Sequence, residues 1–192
     1  MRRPKPISDE SYLGYLLRLA DINGYDTSKW ILNKSDLKTN ANLACVLLTH
    51  QKPNYERLAT LSGLTVKQLS ALTYQAAGQR HVKVFGYQVR PFLLRPQRPR
   101  ICVACIVNHR IAASSGISLW LRACPIHRVM LLERCSKCKR QITWFRSRVN
   151  YCPCGADWRD GKTTDLPEYE CVVSRLIYEA FGLVARPKKR PR

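Results

Sequence analysis

The sequence predicts an α+β fold, mainly α. A helical N-terminal domain with a helix-turn-helix is followed by tandem zinc-ribbon-like modules and a C-terminal helix. Three observations carry this reading. Apolar residues in the first third repeat at helical spacing, Cys and His residues between 102 and 154 come in paired knuckles, and a helical apolar period returns after Cys171. The chain has 192 residues, 45% of them hydrophobic, which is enough for a packed core. The expected divisions are a helical domain over 1–80, a basic strand and linker over 81–100, metal-binding modules over 101–160, a helix over 161–185 and a basic tail over 186–192.

Taken in order, Ser8 is expected to begin the first helix, with Asp9 and Glu10 as acidic cap residues at its positive end. Tyr12, Leu13, Leu16, Leu17 and Ala20 form its apolar face, and Asn23-Gly24 stops it. A second helix is expected over 30–37. A third over 40–49 has Leu43, Val46 and Leu47 inward and is closed by Pro53; Cys45 within it reads as a small buried hydrophobe. Residues 55–61 then predict a short helix, Ser62-Gly63-Leu64 a turn, and Thr65 the N-cap of the next helix. This matches the helix-turn-helix pattern, whose second helix can enter a major groove and would present Lys67, Gln68, Ser70 and Thr73. An architectural role fits as well, because that face carries one cation. Residues 81–89 alternate as an extended strand does, and 95–100 form an extended connector.

Cys102 and Cys105 are separated by two residues, as are Cys124 and His127, Cys135 and Cys138; Cys152 and Cys154 are separated by one. A two-residue gap lets a tight turn aim both ligand atoms at one tetrahedral ion, and a second pair arrives from a separate segment. Eight ligands therefore predict two closed sites, Cys102, Cys105, Cys124 and His127 for one and Cys135, Cys138, Cys152 and Cys154 for the other. A turn closed by Gly155 makes the shorter spacing feasible. A cross-braced pairing, in which Cys102 and Cys105 share an ion with Cys135 and Cys138, stays open, and His109 is a competing ligand without a paired knuckle. Closed sites leave no position for water, so two structural Zn²⁺ ions and no enzymatic activity are expected. Cys171, among Val172, Val173, Leu176, Ile177 and Ala180, reads as core.

Charge points to the partner. With 33 Lys+Arg against 13 Asp+Glu, the net charge is +20. Residues 57–132 hold eleven Lys or Arg and no acid, and Arg134, Lys137, Lys139, Arg140, Arg146 and Arg148 lie in a second acid-free gap before Asp157. Excluding carboxylates suits a surface that meets phosphates, and it argues against a two-metal carboxylate clamp. Lys83, Arg90, Arg95, Arg98 and Arg100 form the expected contact strip, with Lys67, Gln68, Arg146 and Arg148 as further nucleic-acid candidates. The tail from Arg186 to Arg192, with five cations and two prolines, is expected to be disordered alone. Uncharged stretches such as 39–51 and 68–79 are too short to span a bilayer, and the basic start has no apolar run behind it to make a secretory signal.

The order of these parts resembles the TniQ family over nearly the whole chain. The resemblance rests on Glu10-Ser11-Tyr12-Leu13 running to Arg18-Leu19-Ala20 and Asn23-Gly24-Tyr25, the helix-turn-helix, and Arg100-Ile101-Cys102-x-x-Cys105. It continues with Ala123-Cys124-Pro125-x-His127, Leu131-Leu132 and Cys135-x-x-Cys138. It implies a non-enzymatic target-selection adaptor of Tn7-like transposons, acting in a prokaryotic cytoplasm. Such adaptors link a target-site recogniser to the AAA+ ATPase regulator TnsC, which forms filaments on DNA and recruits the transposase. The compact form is similar to that of type V-K CRISPR-associated transposons, which implies an RNA-guided effector, its guide RNA and target DNA as partners. The chain departs from the family pattern in lacking acids after the first Cys pair and in having Ser136 where Pro is common. The competing reading from the residues alone is a stand-alone transcription regulator that uses the helix-turn-helix.

Overall fold

One helix, enclosed on every side, organises the N-terminal part. The computed structural model describes residues 1–7, 10–34, 55–78, 80–84, 86–94, 98–109 and 121–180. Helix α1 (Tyr12–Ile22) starts four residues after Ser8, because Ser11 is its cap and accepts the Gly14 N–H through its side chain. Every residue from Tyr12 to Ala20 is buried. That requires apolar side chains all round, and the sequence supplies them apart from Arg18.

Arg18 explains Glu10, which is not a cap residue. The Glu10 carboxylate is buried and takes both ends of the Arg18 fork, at 2.7 and 2.6 Å. Arg18 also donates to the Lys5 carbonyl at 2.8 Å, and Glu10 accepts the Ile7 N–H at 3.0 Å. Tyr15 adds a hydrogen bond from its hydroxyl to the Pro4 carbonyl. The chain before α1 is thereby stapled across it. A buried ion pair holds only when such extra hydrogen bonds satisfy its remaining groups.

Helix α2 (Ser28–Lys34) begins two residues before the expected 30. The end of that expected helix at 35–37, the third helix over 40–49, Cys45, Ser8, Asp9 and the basic tail lie outside the described residues. Helix α3 (Glu56–Ser62) ends on Gly63, whose φ of 72° is the left-handed conformation the turn demands. Helix α4 (Val66–Ala71) begins with a capping box, in which Thr65 accepts from the Gln68 N–H and Gln68 accepts from the Thr65 N–H. Residues 81–89 are not one strand. They form β2 (Val82–Val84) and β3 (Tyr87–Val89), joined antiparallel through Gly86 at φ 94°, with β1 (Gln75–Ala76) paired to the other edge of β2. The reversal needs a residue at positive φ, and Gly86 is that residue.

Beyond the sheet come a 3₁₀ turn (Pro91–Leu93), α5 (Val103–His109), a second 3₁₀ turn (Trp158–Asp160) and α6 (Glu168–Ala180). The core around α1 does not stop at the helices. It continues through Ile101 and Ile106 to Ile142, Trp144, Val149 and Trp158. Ser28 donates to the Trp144 carbonyl at 3.3 Å, and Asp21 accepts the Val149 N–H at 3.0 Å. The helices and the last Cys pairs thus bury one core together. The fold is mixed and mainly helical, with two Cys-rich clusters.

The Glu10–Arg18 pair is testable. Glu10→Ala leaves a buried guanidinium without its carboxylate and should lower unfolding free energy by about 3–5 kcal/mol in urea denaturation. Adding Arg18→Met should recover most of that loss, since the unpaired charge is then gone.

Candidate metal centres

Three of the four ligand pairs sit in tight turns, each bracketed by an antiparallel bridge. The bridge Ala123–Met130 brackets Cys124 and His127, Arg134–Gln141 brackets Cys135 and Cys138, and Tyr151–Asp157 brackets Cys152 and Cys154. Inside the turns, backbone N–H groups aim at sulfur: His127 N donates to Cys124 Sγ, and Cys105 N to Cys102 Sγ, both at 3.4 Å. Cys102 and Cys105 differ in being set at the start of α5. The Cys152 turn closes through Gly155, at φ 83°, whose N–H reaches the Cys152 carbonyl at 2.9 Å.

These turns bring the ligand atoms together in two sets. Cys102, Cys105, Cys124 and His127 form one, Cys135, Cys138, Cys152 and Cys154 the other, with all ligand atoms in a set within 4.8 Å of one another. The grouping is consecutive, not cross-braced. The side chain of His109 lies outside what the structure describes, and Cys171 is buried on α6 with its thiol against the Arg128 carbonyl.

The spacing within each set fits a tetrahedral ion. For metal–sulfur bonds of about 2.3 Å and metal–nitrogen bonds of about 2.0–2.1 Å, a tetrahedron places sulfurs about 3.8 Å apart and sulfur about 3.6 Å from nitrogen. The Cys105–Cys124, Cys135–Cys154 and Cys138–Cys152 sulfur pairs are each at 3.7 Å. His127 Nδ1 lies 3.6, 3.3 and 3.6 Å from the sulfurs of Cys102, Cys105 and Cys124. All eight residues can therefore hold two metal ions, with four protein ligands each. The second set also has local help for a thiolate: the Arg140 backbone N–H, then its side chain, pulls the Cys138 thiol down to about 6.

The expected nucleic-acid residues divide. Lys67, Lys83, Arg90, Arg98 and Arg148 are exposed. Gln68 is exposed but engaged in the capping box. Arg95 lies outside the described residues. Arg100 is tied to the fold, in an ion pair with Glu133 and a 2.7 Å hydrogen bond to the Leu121 carbonyl. Arg146 is a correction. It is 2% exposed, and its guanidinium donates to the carbonyls of Thr143, Arg148 and Val149 while covering the Trp158 ring at 5.0 Å. Burial pulls its guanidinium down to about 9, which leaves it charged at neutral pH. It holds a loop together from inside, a role that charge counting does not reveal.

The helices share a core with the second of two four-residue clusters, each able to hold a metal ion. The TniQ family model matches residues 1–131, about two thirds of the chain, and the chain belongs to the TniQ family. Membership implies a role in transposition target selection, in a family of non-catalytic adaptors. The match covers α1 to α5 and the first ligand set, and the second set and α6 follow it. No curated protein matches the chain. Among the described residues, no helix is long and apolar enough to cross a membrane.

Metal analysis of the purified protein should return two ions per chain, and Cys152→Ser or Cys124→Ser should each lose one. Retention should fall as pH falls, because protons compete for ligands that bind only when deprotonated.

Proposed function

We propose that this protein is a non-enzymatic target-selection adaptor that holds Zn²⁺ in both ligand sets. In this reading it links a target-recognising complex to the AAA+ regulator TnsC. The family match over residues 1–131 carries the proposal. The donor sets support zinc, since thiolates with one imidazole at tetrahedral spacing suit it best. Bound there, Zn²⁺ supplies cross-links between chain segments, because four protein ligands leave no open position for chemistry. The protein's own residues do the rest: they present surfaces to partners.

Charge supports nucleic acid as one of those partners. Lys67, Lys83, Arg90 and Arg98 are exposed within the stretch that has no carboxylate, and Arg148 is exposed in the next gap. In this reading the arrangement is that of type V-K transposons, in which an RNA-guided effector finds the target and the phosphates met include guide RNA as well as DNA. An adaptor of this kind works by combining several weak contacts, each helped by the others.

The test is reconstitution of TnsC filaments on DNA with the RNA-guided effector, with and without this protein. Co-association of filament and effector only when the protein is present is the expected result. Its absence rejects the adaptor reading. Charge reversal at Lys83, Arg90 and Arg98 together should weaken RNA or DNA association and flatten its salt dependence, because each lost phosphate contact lowers the slope by about 0.7–0.9.

A further inference from the structure

The three hairpin-like knuckles treat one backbone position differently. After Cys154 the left-handed position is filled by Gly155, at φ 83°, whereas after His127 and Cys138 it is filled by Arg128 and Lys139, at 57° and 60°. Glycine takes that conformation freely and other residues do so at a cost, so a cation there calls for a reason. Arg128 has a carboxylate partner. It forms an exposed pair with Glu168 of α6 at 3.9 Å, and nearby Arg122 pairs with Glu170 at 3.5 Å.

The cations of the second knuckle have no such carboxylate partners among the described residues. Arg134, Lys137, Lys139 and Arg140 are all exposed, and among the described residues none of them is in an ion pair. Glu133, next in sequence, is bound to Arg100. Arg140 serves the ligand set through its bond to the Cys138 sulfur. That leaves Arg134, Lys137 and Lys139 on a turn whose backbone is fixed by 2.9 Å bonds from Lys139 N to the Cys135 carbonyl and from Cys135 N to the Arg140 carbonyl. Cations held on a rigid turn lose little further backbone freedom when they meet a row of phosphates.

We propose that the knuckle spanning residues 134–140 is a docking surface for the phosphate backbone of duplex DNA, contacted by Arg134, Lys137 and Lys139. Charge complementarity carries it: a compact cationic turn, with Arg134 bonded to the Lys139 carbonyl at 3.3 Å and no carboxylate partner among the described residues, faces a polymer with one charge per about 1.7 Å of axis. The choice of duplex DNA rests on the target-selection reading, because the target of transposition is DNA.

The experiment measures binding of the metal-loaded full chain to a short fluorescent duplex of arbitrary sequence across a salt series. The variant Arg134→Ala/Lys137→Ala/Lys139→Gly should reduce the slope of log affinity against log salt by about 2.7, at about 0.9 per phosphate contact. Lys139→Gly alone should weaken binding while the thermal midpoint holds or rises, since glycine relaxes the turn. Arg122→Ala/Arg128→Gly, on the knuckle whose cations are paired with Glu170 and Glu168, should leave the slope unchanged. An unchanged slope in the triple variant overturns the proposal, including the case in which only metal retention falls. So does an equal loss from the Arg122/Arg128 variant, or a wild-type protein that binds an RNA hairpin and no duplex. Failure here leaves filament co-association untouched, and loss of co-association with the slope difference intact rejects only the adaptor reading.

Discussion

Convergence of Cys135, Cys138, Cys152 and Cys154 is the constraint on which the packing of the helices depends. The chain between the two pairs contains Ile142, Trp144 and Val149, and these residues belong to the same core as α1 and α2. That segment is bends and turns apart from the single bridge at Gln141, so regular backbone pairing does little to hold it. Its two ends are brought together by the ligand turns. If they part, the surface under α1 goes with them. Structural metal sites of this type contribute folding free energy directly, about 10–16 kcal/mol in apparent binding terms, a large quantity beside the net stability of a domain. Ser28 and Asp21 tie this segment to the helices through their bonds to the Trp144 carbonyl and the Val149 N–H.

Inside this segment Arg146 does what a strand or helix does elsewhere. Irregular backbone brings carbonyl oxygens into the interior, and each needs a donor. The Arg146 guanidinium supplies donors to three of them and rests on Trp158, so one side chain satisfies the loop and fills its core face. A planar fork suits this, where an ammonium does not. The same residue type thus has opposite roles a few positions apart: Arg146 is interior scaffold and Arg148 is surface.

Acidic residues are placed with similar economy. Glu168 and Glu170 of α6 pair with Arg128 and Arg122, so the first ligand set is covered by a helix that also bonds to it through Ser174 and the Ala123 N–H. Glu10 is consumed by Arg18 and Glu133 by Arg100. What remains outward over the sheet and the second knuckle is positive, and a charge excess that is local in this way steers a polyanion better than the same charge spread evenly.

Much of this was legible in the residues themselves. The ligand spacings predicted both sets, because a two-residue gap in a tight turn has few other uses; the Gly63 turn and the Thr65 cap marked the α3–α4 junction, because backbone conformation there depends on one or two residues. Other features depended on what lies far away in the chain. Glu10 carries the same local signals whether it caps a helix or pairs with Arg18, and only packing against α1 decided between them. Residues 81–89 alternate in sequence, yet the turn at Gly86 folded them into a hairpin. The choice of consecutive over cross-braced ligands, the burial of Arg146, and the shared core between α1 and the last Cys pairs were likewise decided by tertiary structure. Spacing and capping act over a few residues and are written in the sequence; partner choice among equivalent charges and apolar faces depends on which of them the folded chain brings within reach.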